Sequence, residues 1–129
     1  MNANQIFEKK QLLTVERAKQ LFGKKIATTA PEYRGNSPIV KIFVVGEITT
    51  QWDEVAKEQW TQDNRFRTRQ EYWASFMTEK EIDEKKTNLV LLTQDGERCY
   101  TAHTKYWNFF DVPTFTGSDA DRPVFYVEL

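Results

Sequence analysis

Three local signals predict an α+β fold for this chain. The domain is small and single, with an antiparallel or mixed sheet, barrel-like in its strand order, and short helices. IVKIFVVGEI, residues 39–48, is a β-branched and aromatic run of strand length. NLVLLTQDGERCYTAH, residues 88–103, places Asp95-Gly96 between two β-rich runs. TVERAKQLFG, residues 14–23, repeats apolar residues at the helical period between a threonine and a glycine.

The helix is predicted over residues 14–22, with Thr14 capping the first turn and Gly23 supplying the left-handed position that ends it. Val15, Ala18, Leu21 and Phe22 share its apolar face, and Leu12 and Leu13 precede it. KKIATTA, residues 24–30, reads as a strand, and the prolines, glycine and asparagine of residues 31–38 read as a loop. The run 39–48 is apolar on both faces except at Lys41, the pattern of a central strand covered on each side. Gly46 near its end marks a bulge or a close approach by another backbone.

Thr50-Gln51-Trp52-Asp53 resembles a capping box and opens a predicted helix over 51–60, with Trp52, Val55, Ala56, Gln59 and Trp60 on one face. Residues 65–69 fit two structures. They extend as a strand, or they begin a helix that runs on through Tyr72, Trp73, Phe76 and Met77. Thr78-Glu79-Lys80-Glu81 is a capping box for a polar helix to about Lys86, anchored by Ile82. Asp95-Gly96 predicts a tight type I′ hairpin joining strands near 88–93 and 98–103. Residues 111–123 read as a loop and 124–128 as a last strand.

A chain of 129 residues fits one domain, 1–129, that buries roughly two-thirds of its unfolded surface. The pattern-poor residues 1–10 fit a disordered N-terminal tail. Nine Phe, five Tyr and four Trp are many for this length, enough for an aromatic core with rings left over for the surface. The single cysteine excludes an intrachain disulfide and a cysteine-based zinc site. With no signal-peptide pattern and no membrane-length apolar run, a soluble cytoplasmic protein without membrane attachment is expected. Net charge is −1, divided as +4 over residues 1–50 and −5 over residues 51–129. That division either polarises the surface or cancels if the two halves interleave.

Catalytic signatures are missing. Cys99 and His103, placed on one strand, sit roughly 13 Å apart at ~3.3 Å per residue, too far for thiol–imidazole activation. A buried, inert Cys99 and a strand-end His103 are the expectation. Asp111, Asp119 and Asp121 lack calcium-loop spacing. The five glycines never cluster into a phosphate cradle, and Glu47 with Asp53 or Glu54 is a carboxylate pairing without specificity. No cofactor or metal is expected.

The richest stretch is residues 51–77, with three of the four tryptophans and arginines at 65, 67 and 69. If extended, Arg65, Arg67 and Arg69 line one face at about 6.6 Å intervals, near the phosphate repeat of a nucleic-acid strand. Trp60, Phe66, Tyr72 and Trp73 would then offer stacking surfaces. If the segment is a charged edge, the arginines pair with neighbouring carboxylates and block strand-to-strand association. Tyr33 and Arg34, in the turn after Lys24 and Lys25, form a second candidate patch. The expectation is a non-catalytic binding domain that recognises a protein partner or its own copy through this Arg/aromatic surface, since Trp, Tyr and Arg dominate interface energetics. A single-stranded nucleic-acid-binding module is the alternative, although the aromatic RNP pattern is absent. An enzyme with a site assembled across the sheet is the third reading.

Overall fold

A computed structural model describes residues 1–30, 38–60, 65–102, 107–109 and 123–129. Tyr33, Arg34, His103, Asp111, Asp119 and Asp121 lie outside the described residues, as do nearly all of the two predicted loops. The strands are β1 (Lys25–Thr29), β2 (Lys41–Thr50), β3 (Leu89–Thr93), β4 (Arg98–Ala102), β5 (Asn108–Phe109) and β6 (Phe125–Glu128). They form one sheet in the order β5-β4-β3-β2-β1-β6. Every pairing is antiparallel, which removes the mixed-sheet alternative.

β2 holds the two halves of this sheet together. Residues 41–44 pair with β1, whereas Val45 and residues 48–50 pair with β3. The register shifts between Val45 and Ile48, so Gly46 sits in the predicted bulge. It also meets the predicted close approach, because a Cβ there would overlap the Thr93 carbonyl. The bulge restores Ile48 to the side of the core that Val45 occupies, although the two are an odd number of residues apart.

The sheet is strongly coiled. β1 and β4 are separated by two strands, which on a flat sheet would set them ~14 Å apart. Yet the Thr28 and Tyr100 hydroxyls, both completely buried, share a hydrogen bond across the concave side. β5 and β6 stay unpaired with each other, so the sheet does not close. One corner is nevertheless stitched. The Leu13 amide donates to Val124, the Val124 amide to Trp107, and the Trp107 amide to Leu13 (2.8, 3.1 and 3.2 Å). Leu12 bridges Phe125, so residues 11–13 cover the outer edge of β6.

Two helices close the sheet's surfaces. In α2 (Val15–Gln20) Thr14 accepts the Arg17 amide, and Gly23 at φ +81° supplies the predicted left-handed stop. Leu13, Ala18 and Leu21 join Ile26, Val45, Leu91, Tyr100, Trp107 and Val124 in the main core. Phe22, expected on the same face, is 63% exposed, because α2 ends before it. α1 (Ala3–Glu8) occupies the segment that reads as a tail. Asn2 and Gln5 form a reciprocal capping box, and Ile6 is buried against Ala27 and Val127 on the other side of the sheet.

Two further readings change. β2 is central in strand order but covered on one side only along much of its length, and Ile42 is 52% exposed. Among the described residues, the apolar cluster under α1 takes in Val40 but none of the residues of β2. The β3–β4 turn is not type I′ either. The Thr93 amide donates to the Glu97 carbonyl, the Glu97 amide donates to the Thr93 hydroxyl, and Gly96 at φ +83° is the only left-handed residue of the loop. This three-residue connection needs one positive φ where type I′ needs two.

Gly46→Ala is expected to destabilise the protein by about 2–3 kcal/mol in urea unfolding, through overpacking against backbone that cannot yield. Gly96→Ala, with open space around it, should cost only the left-handed penalty of about 1–2 kcal/mol.

Candidate functional site

Residues 51–88 form a helical lobe set between two adjacent antiparallel strands. Such strands are ordinarily joined by about 2–5 residues. The lobe leaves and re-enters the sheet at one point, since Thr50 pairs with Leu89. There the Gln51 amide donates to the Asn88 carbonyl at 2.7 Å, and the Asn88 side chain donates to Gln51 Oε1. Its helices are α3 (Gln51–Ala56), α4 (Arg69–Ala74) and α5 (Glu79–Thr87). Each starts at a threonine (Thr50, Thr68 or Thr78) whose hydroxyl accepts an amide of the first turn.

α3 stops short of the predicted residue 60. Residues 58–60 instead run beside 67–69, with Gln59 bridging Thr68. The Trp60 amide donates to Arg67 and the Arg69 amide to Glu58 (3.2 and 3.0 Å). This pairing also resolves residues 65–69. Arg65 lies in a turn, Thr68 in the bridge, and Arg69 is the first residue of α4. The three arginines therefore do not form a single extended ladder.

The lobe is organised around Tyr72. Its ring stacks on Trp60 at 4.3 Å between centroids and meets Phe66 and Phe76 edge-on at 5.7 and 5.0 Å. Arg69 lies over the Trp60 ring at 4.7 Å and donates through Nε to Glu58 at 3.1 Å. Glu58 also faces Arg98 on β4 at 3.8 Å, which ties the lobe to the sheet. Arg65 covers Phe66, and Lys85 of α5 covers Trp73. Burial stays shallow. Among the described residues of the lobe only Glu54 and Val55 are buried; α4 contributes none, and Phe76 is 62% exposed.

Five predicted site residues, Trp60, Arg65, Arg67, Arg69 and Trp73, thus fall in one lobe, Arg67 with an exposed side chain. Tyr33 and Arg34 lie outside the described residues. Glu58 and Arg98 carry no signal in the sequence, because their pairing joins residues distant along the chain and no periodicity reports it. Phe76 was read only as a helix position. Its exposure follows from α4 ending at Ala74.

Elsewhere, Cys99 is buried, as expected. Glu47 lines a groove of about 230 Å³ with Phe22, Thr93 and Gln94, whereas Glu54 is buried on α3 and Asp53 is exposed. A second groove of about 310 Å³ is lined by Lys9, Arg17, Tyr126 and Glu128. The Arg17 guanidinium is held above its ordinary pKa, first by its hydrogen bond to the Tyr126 hydroxyl and also by the Glu128 charge. Lys24 faces Glu128 as well, so the basic first half and acidic second half interleave here. Among the described residues no cluster of three metal-ligating side chains occurs, and no helix is long and apolar enough to cross a membrane. No protein-family model, curated protein or solved structure matches the chain.

Tyr72→Ala removes three ring contacts, each worth ~0.5–1.5 kcal/mol beyond burial. Hydrogen exchange should accelerate at least tenfold through residues 65–77, while amides of β1 and β6 keep their protection. Equal loss in both regions would mean that the lobe is not a separate layer of stability.

Proposed function

We propose that this chain is a non-catalytic binding domain that recognises protein through the lobe of residues 51–88. The carrying observation is the row Phe66–Tyr72–Phe76, with Trp60 stacked on Tyr72 and arginines at its border, about a helix with no buried residue. Large rings with few rotatable bonds gain contact area at low entropic cost, and Arg beside them supplies directional hydrogen bonds. The lobe is also more than the sheet requires, since about 2–5 residues would join β2 to β3. A cytoplasmic setting fits the lone thiol.

The nucleic-acid reading has less support. Trp60 and Tyr72 spend their faces on each other, and Arg69 is engaged by Glu58. The lobe holds seven Lys/Arg against nine Asp/Glu, a poor funnel for phosphates.

Immobilised full-length chain should retain specific proteins that Phe76→Ser and Arg65→Ala/Arg67→Ala variants lose, with thermal unfolding unchanged within about 1 kcal/mol, as is usual for exposed sites. In parallel, tryptophan fluorescence should not respond to single-stranded DNA or RNA at low salt. Saturable, salt-sensitive quenching that disappears in the arginine variant would transfer the assignment to nucleic acid.

A further inference from the structure

α4 is held with little apolar burial, since it contributes no buried residue and packs on α3. Two backbone bonds between residues 58–60 and 67–69 tie it down, and the Gln70 side chain donates to the Trp52 carbonyl at 3.4 Å. Charge supplies what burial does not. Residues 65–77 carry Arg65, Arg67 and Arg69 against Glu71, whose carboxylate accepts the Arg67 amide within the segment. Residues 51–60 carry Asp53, Glu54 and Glu58 against Lys57, which faces Glu54 at 4.0 Å. α5 adds Glu79, Glu81, Asp83 and Glu84 against three lysines, of which Lys85 covers Trp73. A cationic strap thus lies against an acidic neighbour, and the two meet at Glu58. Its Oε2 accepts Arg69 Nε at 3.1 Å, and its Oε1 faces Arg98 at 3.8 Å. The same Arg69 lies over Trp60, the ring that stacks on Tyr72.

We propose that Glu58 is an electrostatic latch, holding residues 65–77 closed on α3 and β4 and releasing them as ionic strength rises. Glu58 and Arg69 are each 39% exposed, so mobile ions reach the pair and screen it. A segment with few buried apolar contacts opens at a free energy below that of the whole fold. Opening separates Trp60 from Tyr72 and dismantles the ring row, so salt sets the fraction of chains that present it. The latch acts on the closed state itself, whatever the lobe binds.

Amide hydrogen exchange of the full chain, read by NMR at about 20 and 500 mM NaCl, tests it, because the screening length falls from roughly 20 to 4 Å between them. The reporters are the amides of Trp60 and Arg69, which cross between the two segments, and those of Tyr72 and Met77. In the wild type all four should exchange about threefold to tenfold faster at high salt, the scale of one or two half-exposed ion pairs. Amides of β1 and β6 should change little. Glu58→Gln keeps the side chain's size and an acceptor but removes the charge. Its four reporters should exchange about threefold to tenfold faster than wild type at low salt and respond little to added salt. Wild-type reporters indifferent to salt overturn the latch. So does a Glu58→Gln chain that matches wild type at low salt or keeps the full salt response, and so does equal acceleration in β1 and β6.

Discussion

The close approach of Gly46 to the Thr93 carbonyl is the constraint on which the rest of the structure depends. It lies where β2 passes from its β1 partners to its β3 partners. Only a residue without Cβ lets the end of β3 press against β2 at that point. The resulting bulge bends and twists the strand, and the sheet coils as a consequence. Coiling brings Thr28 to Tyr100 across two intervening strands and encloses the core. It also brings the beginnings of β5 and β6 near enough for Leu13, Trp107 and Val124 to be stitched together.

The lobe inherits its position from the same strand. β2 ends at Thr50, whose hydroxyl caps α3 while its backbone pairs with Leu89. The lobe is therefore held at a paired stalk and, among the described residues, also where Glu58 faces Arg98 of β4. Exposed ion pairs contribute roughly 0–1 kcal/mol each, so the second tether orients the lobe more than it stabilises it. The lobe's own apolar interior amounts to little beyond Val55, and its rings rest on one another at its surface. Aromatic residues that a larger core would have absorbed lie half-buried or exposed at its surface.

Local chemistry made several elements legible beforehand. Thr14 and Gly23 bound α2, Thr78 opens α5, and the β-rich runs about Asp95-Gly96 pair as a hairpin. Each of these depends on atoms within a few residues of one another. Where the reading departed from the structure, a distant contact decided. α3 ends early because Gln59 finds Thr68. Asp95 stays out of the left-handed region because Thr93 bonds Glu97 across three residues. β2 looks covered on both sides in sequence because Ile39 and Ile42 are apolar, yet both are about half exposed.

The candidate surface divides in the same way. Sequence alone determined which residue types are concentrated in 51–77 and that Thr50 and Thr78 start helices, because composition and capping are properties of short segments. It determined the α+β class as well, since the periods of helix and strand are written in neighbouring residues. Only the tertiary structure decided that Arg65, Arg67 and Arg69 part company, that Tyr72 gathers three rings about it, and that Glu58 binds the lobe to β4. The ring contacts join residues up to twelve apart, and the Glu58–Arg98 pair joins residues forty apart through the pairing of β2, β3 and β4, a geometry that no local pattern carries.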